Sequence, residues 1–284
     1  MVRLTMDLSI IILNYKSRGL LKQCLKGILQ QHIELTYEII VVDNYSHDGC
    51  DEMMRREFAQ IQFIQSGANG GFAVGNNIGI RRSQGKYVLV LNPDIAVLSN
   101  AIERMYRFME EHPKVGLCAP KLLNPDGTIQ TSCRQFPSIL TIALRRSPLG
   151  KLPWAKRALR RFLMLDWDHN DNRPVDWVLG ACMMVRRSAM EKVGLMDERF
   201  FLYFEDVDWC RRFWHAGYPV MYLGAEAELV HYHQRLSAES HGLSGIFSYP
   251  TRVHITSGIK YFAKYRQNEN PKYELAYVSS HGSS

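Results

Sequence analysis

Leu8 to Leu13 is a nearly unbroken apolar run that stops at polar Asn14; Tyr37 to Val42 and Tyr87 to Leu91 repeat this plan. Runs this short and this apolar read as strands buried on both faces, the habit of a parallel sheet. Between them, Leu20 to Gln31 carries Leu21, Cys24, Leu25, Ile28 and Leu29 at helical spacing. Asp48 to Phe58 is a weaker helix, Ile61 to Gln65 a short strand, and Val74 to Ser83 a helix entered through Gly70 and Gly71. Strand alternating with helix predicts a parallel, helix-covered α/β sheet. Later the pattern turns mixed. A helix from Asn100 to Glu111 leads into a strand at Val115 to Ala119, and Asn124-Pro125-Asp126-Gly127 makes a turn between two short strands. Further on come a strand from Val175 to Val185 broken at Gly180, a helix from Ser188, and an acidic helix start near Glu205. Two strands, Val220 to Leu223 and Leu229 to Tyr232, precede a last helix from Thr251 to Tyr265 and a polar tail over 266–284, expected to be disordered.

Polar residues collect where the strands end, and ligands of open α/β sheets bind beyond those ends. Tyr87 to Leu91 delivers Asn92-Pro93-Asp94, in which Pro93 ends the strand between two oxygen-bearing side chains. That spacing fits an Asx turn, and it fits equally a hard cation such as Mg²⁺ or Mn²⁺ shared with substrate phosphates. The first two strands end in Asn14-Tyr15 and Asp43-Asn44, an aromatic face beside a carboxylate, suited to stacking a uracil or thymine and accepting its imide N–H. The run Gly67 to Gly75, which includes Asn69, opens a helix whose backbone N–H groups are expected to face an anion. It lacks the dinucleotide fingerprint and its position after the first strand, which argues against a dehydrogenase.

Glu205-Asp206-Val207-Asp208 follows four aromatics in the five residues Phe200 to Phe204. Helix capping explains some of these acids, yet three carboxylates in four residues exceed what a cap needs. One of them beside aromatics is a candidate general base. His231 and His233 end a late strand, where a neutral imidazole is either a surface group or a cation ligand shared with a carboxylate.

Composition narrows the setting. A chain of 284 residues is long enough for a large core, read here as one domain over 1–265 with halves 1–98 and 99–265. No apolar run approaches the roughly 18 residues of a membrane helix, and the first run is too short for a signal peptide, so a cytoplasmic protein is expected. The six cysteines show no Cys-x-x-Cys pair and read as reduced packing residues. The net charge of +7 is concentrated. From Ile139 to Leu165 there is no acid, while Arg145, Arg146, Lys151, Lys156, Arg157, Arg160 and Arg161 interleave with apolar residues and Trp154. This reads as a basic amphipathic segment for an anionic membrane surface, in preference to a solvated helix face; no nucleic-acid module accompanies it.

In order, SIIILNY, EIIVVDNYSHDG, NGGFAVGNNIGI, YVLVLNPD, VDWVLGACMMVRR, GLMDERFFLYFEDVDWCRR and ELVHYH resemble the family 2 glycosyltransferases of the GT-A fold, in their bacterial rhamnosyltransferase-like branch. The resemblance implies inverting transfer from a nucleoside diphosphate sugar, TDP-rhamnose by branch, to a lipid-linked or polysaccharide acceptor in O-antigen or cell-wall synthesis. It places Asn14, Tyr15, Asp43, Asn69, Asn77 and Asn92 on the nucleotide, with Asn77 reaching the ribose. Asp94 and His231 fall on the metal site, with Asn92 where the family often has an aspartate. Asp206 falls on the catalytic base, with Glu205 beside it, and Trp177, Gly180, Ala181 and Asp208 on the acceptor side. A UDP-hexose donor is the nearest alternative, and a non-catalytic nucleotide-sugar-binding protein the more distant one.

Overall fold

A computed structural model describes residues 6–97, 100–232 and 249–271. The chain runs β1 (Leu8–Asn14), α1 (Arg18–Leu29), β2 (Tyr37–Asp43), α2 (Cys50–Glu57), β3 (Gln62–Gln65), α3 (Gly71–Arg82) and β4 (Tyr87–Leu91). It continues through β5 (Ile95–Ala96), α4 (Ala101–Glu111), β6 (Leu117–Leu123), β7 (Ile129–Gln130), β8 (Cys133–Arg134), α5 (Ile139–Arg146), a 3₁₀ turn (Pro148–Lys151) and α6 (Pro153–Phe162). The remainder is β9 (Asn172–Pro174), β10 (Trp177–Val178), β11 (Cys182–Arg186), α7 (Arg187–Val193), α8 (Glu205–His215), β12 (Val220–His231) and α9 (Tyr249–Lys264).

The principal sheet has the order β3-β2-β1-β4-β11-β6-β12-β5. Its first four strands are parallel, as the apolar runs require: every residue of β1 and of β4 is buried. From β11 onward direction is mixed, since β11 lies antiparallel to β4 and β6 while β12 lies parallel to β6. One apolar core lies on each face of the sheet. All six cysteines are buried and unpaired.

Two expectations change here. The run from Val175 to Val185 forms strands in two different sheets, because β10 pairs with β8 whereas β11 joins β4. Gly180 marks the departure, and Phe72 comes so close that a Cβ there would lie 3.1 Å from its ring. Conversely, the two late strands are a single strand, β12, whose register shifts between Leu223 and Glu228. A side chain at Gly224 would meet the carbonyl oxygen of His169 at 2.4 Å, so the bulge sits where only glycine fits.

The basic segment folds as a hairpin of α5 and α6. Leu144, Ala155 and Phe162 face inward; Ile139, Leu140, Leu149, Leu152 and Trp154 are exposed. Arg160 pairs with Asp166, just beyond the acid-free stretch. Among the described residues no helix is long and apolar enough to cross a membrane.

Candidate active site

Parallel pairing of β1 with β2 puts Asn14 opposite Asp43 at the carboxyl ends of the strands. Nδ2 of Asn14 donates to Oδ1 of Asp43 at 2.7 Å and to Oγ of Ser46 at 3.1 Å, and the Ser46 N–H donates to the other carboxylate oxygen. Asn14 is completely buried. It therefore orients Asp43, which is itself almost completely buried, at the carboxyl end of the strand. Tyr15 is exposed beside this pair, with the Lys16 ammonium over its ring. Asp43, Asp48 and Cys50 also cluster closely enough to suggest a metal centre. Asp48 accepts the N–H groups of Arg18 and Cys50, and burial beside the acids pushes the Cys50 thiol up to about 12.

The glycine-rich loop is not an anion cradle. Its N–H groups are already engaged: Gly70 donates to Oδ1 of Asn44, Gly71 to Oδ1 of Asn69, and Phe72 to the carbonyl of Phe201. Asn69 also accepts from Asn44, so its Oδ1 braces the loop while the residue stays half-exposed. Gly71 has φ +84°, and a Cβ there would lie 2.0 Å from the Phe201 oxygen. The glycines serve this close approach of α3 to the segment leading into α8. Asn77 is corrected for the same reason. It is completely buried, and its amide bonds Met196 twice and Glu198 once, leaving nothing for a ribose.

At the end of β4, the N–H of Asn92 donates to the carbonyl of Ala181 while the Asn92 side chain stays partly exposed. Asp94 follows in the turn. Antiparallel pairing sets β5 against the last residues of β12, and this brings Nε2 of His231 to 3.3 Å from Oδ1 of Asp94. Nδ1 of His231 lies 2.8 Å from Oε1 of Gln130, a contact that fixes the ring with Nε2 toward Asp94. One hard carboxylate and one oriented imidazole nitrogen form a donor set that fits Mg²⁺ or Mn²⁺. His233 lies outside the described residues.

The acidic helix start divides its three carboxylates among three environments. Asp206 accepts from the N–H of Gly180 at 3.1 Å and of Val207 at 2.8 Å. Burial raises its pKa, and those two donors oppose the rise. Glu205 is more deeply buried, its Oε2 has no hydrogen-bond partner among the described residues, and burial followed by the charge of Asp206 drives its carboxyl well above the ordinary range. The proton is thus bound more tightly at Glu205, whose carboxyl lacks the backbone donors that Asp206 has from Gly180 and Val207. Asp208 points away: completely buried, it takes Arg212 on one oxygen and Tyr265 and Lys264 on the other. It fastens α9 to α8, which corrects its assignment to the acceptor side. Trp177 is buried too, its indole N–H bonded to Gln135, and it backs the wall while the Arg134 guanidinium lies 5.3 Å from its ring.

Gly180 and Ala181 link the two sets: Gly180 holds Asp206, and its neighbour Ala181 holds Asn92, two residues before Asp94. Sequence reasoning did not single out Gln130 and Arg134. Their only signal was position, just past the Asn124 to Gly127 turn.

A parallel half that runs into a mixed half, with carboxylates around the seam, is the arrangement of the GT-A fold. Residues 9–194 match the family described as Glycosyl transferase family 2, and the chain belongs to it. It is 30% identical over 210 residues to the N-acetylglucosaminyl-diphospho-decaprenol L-rhamnosyltransferase of Mycobacterium tuberculosis, covering 70% of this chain and 67% of that one. It is 27% identical over 255 residues to the rhamnosyltransferase WbbL of Escherichia coli K12, covering 84% and 86%. Among solved structures it shares the fold of GalNAc-T7, crystallised with UDP, GalNAc and Mn²⁺, at a TM-score of 0.63 and 13% identity, over 96% of this chain and 54% of that one.

Proposed function

We propose that this glycosyltransferase moves L-rhamnose from TDP-rhamnose, with inversion, to a hydroxyl of a lipid-diphosphate-linked glycan acceptor in bacterial surface-glycan assembly. The observation that carries the reading is the anchoring of Asp206 on Gly180 and of Asn92, two residues before the His231-paired Asp94, on the adjacent Ala181. Asp206 takes the proton of the acceptor hydroxyl as its oxygen attacks C1 of the donor sugar. The bond from C1 to the diphosphate breaks, its electron pair leaves on the diphosphate, and in-line geometry inverts the anomeric centre. Tyr15 stacks the base, Asp43 accepts its imide N–H, and Asn92 borders the diphosphate. Asp94 and His231 would hold Mg²⁺ or Mn²⁺, which supplies Lewis-acid relief of the leaving charge worth several kcal/mol. The α5–α6 hairpin would lay its exposed apolar and basic residues on the inner face of the cytoplasmic membrane.

Support for the donor comes from the names of the mycobacterial and E. coli relatives. A UDP-hexose reading has its own support in the nucleotide held by GalNAc-T7. Calorimetric titration of TDP-rhamnose and UDP-glucose with Mg²⁺ separates them. The proposal expects tighter binding of TDP-rhamnose, and preference for the UDP-sugar moves the assignment to the alternative. A non-catalytic binding protein would have no need of a carboxylate held by the backbone at Gly180, as Asp206 is.

A further inference from the structure

A cleft of about 640 Å³ opens beside the catalytic seam, bounded by the Asn124 to Arg134 segment on one side and by Leu179 and Tyr232 on the other. That volume suits a sugar bearing a diphosphate. Gln130, the hydrogen-bond partner of His231, lines it, so it is continuous with the Asp94–His231 pair. Arg134 is the cleft's cation.

Its guanidinium is set for a ligand. Pairing of β8 with β10 places Arg134 opposite Trp177, whose ring supports it from behind. Among the described residues no carboxylate forms an ion pair with it, its Nε has no hydrogen-bond partner, and Nη2 makes only a 3.4 Å contact with the Thr131 carbonyl. Arg134 is half-buried with its Nε shielded from solvent, and a guanidinium nitrogen taken out of water is normally paired or hydrogen-bonded, because desolvating a charge without compensation is costly. Burial and the neighbouring Arg145 pull its pKa down to about 10, while Asp206 acts in the opposite sense. Asp126, the acid at the rim, is bonded into its own turn by Thr128.

We propose that this cleft is a diphosphate subsite and that Arg134 is its anchor. The planar fork of an arginine matches two oxygens of one phosphate, and a polyanion there restores the interactions the guanidinium lost on burial. The α5–α6 hairpin that follows Arg134 in the chain exposes Ile139, Leu140 and Trp154, and a prenyl-diphosphate-linked acceptor would offer a diphosphate to Arg134 and a lipid to that apolar surface. The acceptor assignment rests on the function proposed above; the anion site rests on Arg134 itself.

The test is binding, with no turnover required. Farnesyl diphosphate and TDP with Mn²⁺ are titrated calorimetrically against the wild type, Arg134→Gln and Arg134→Lys. Loss of a charged hydrogen-bonding pair predicts roughly tenfold or greater weakening in Arg134→Gln, with the lysine intermediate. Weakening confined to farnesyl diphosphate assigns the subsite to the acceptor; weakening that extends to TDP assigns it to the donor. Unchanged binding of both in a folded Arg134→Gln overturns the proposal, as does failure of the wild type to bind either. Should Arg134→Gln not fold, phenylglyoxal modification of wild-type Arg134, read by mass spectrometry, replaces it. Pyrophosphate must slow that modification, and an unprotected Arg134 overturns the subsite. A UDP-sugar preference would leave these results intact, so the two readings fail separately.

Discussion

Oε1 of Gln130 lies 2.8 Å from Nδ1 of His231, and this bond decides which imidazole nitrogen faces Asp94. Gln130 is held in turn by the Asn124 to Thr128 turn, through a 3.5 Å contact from Nε2 to Asn124 and the bond of Asn124 to Thr128. Partners that orient a ligating histidine are typically worth 10–100-fold in metal affinity. Gln130→Leu should therefore weaken Mn²⁺ binding in the presence of TDP by about that factor, as measured by electron paramagnetic resonance. Unaltered affinity would reduce the bond to packing.

Asp206 and Asp94 should fail differently. A general base contributes typically about 10²–10⁴-fold and acts only on the acceptor, so Asp206→Asn should lower transfer by that factor with donor affinity nearly intact. Asp94→Asn should weaken donor binding and transfer together. Asp208→Asn belongs to neither class. It strips a buried carboxylate from Arg212 and Lys264 and should cost about 3–5 kcal/mol of stability, seen as a fall in Tm. Glu205→Gln inactive with Asp206→Asn fully active would reassign the base.

The raised pKa of Glu205 sets a pH dependence of stability. Above the ordinary carboxylate value of about 4.3 the unfolded chain has lost this proton while the folded chain retains it. The folded state then binds more protons, so the contribution of Glu205 to stability declines as pH rises. Glu205→Gln removes that dependence. Its Tm relative to wild type should become steadily more favourable as pH rises above the ordinary carboxylate range, and a difference that stays flat in calorimetric scans would refute the raised pKa.

The hairpin yields a salt-dependent expectation. Exposed charges are screened over about 8 Å at physiological ionic strength, so binding to anionic vesicles should fall as salt rises. Replacing Arg157, Arg160 and Arg161 with Gln should weaken sedimentation with such vesicles and leave Asp206-dependent transfer to a soluble acceptor unchanged. Arg160 should matter least, because Asp166 already accompanies it. Equal binding to neutral vesicles would remove the electrostatic argument.

Strand and helix order, the carboxylates at strand ends and the family were readable in the chain itself, because burial on both faces of a parallel sheet forces continuous apolar runs. Motif order then located Asp94, Asp206 and His231. Side-chain direction was not readable. Asn77 and Asp208 sit within otherwise informative motifs, yet the packing of α3 on the Met196 segment and of α9 on α8 turned both into internal fasteners. Gly70 and Gly71 looked like an anion cradle, since sequence shows that backbone is free to approach something but not what it approaches; here that is Phe201. Gln130 and Arg134 acquire meaning only through pairing across strands distant in sequence, β7 near the end of β12 and β8 against β10. Local patterning determines which elements form, whereas the partner of each polar group is decided by contacts that exist only once the sheet has closed around it.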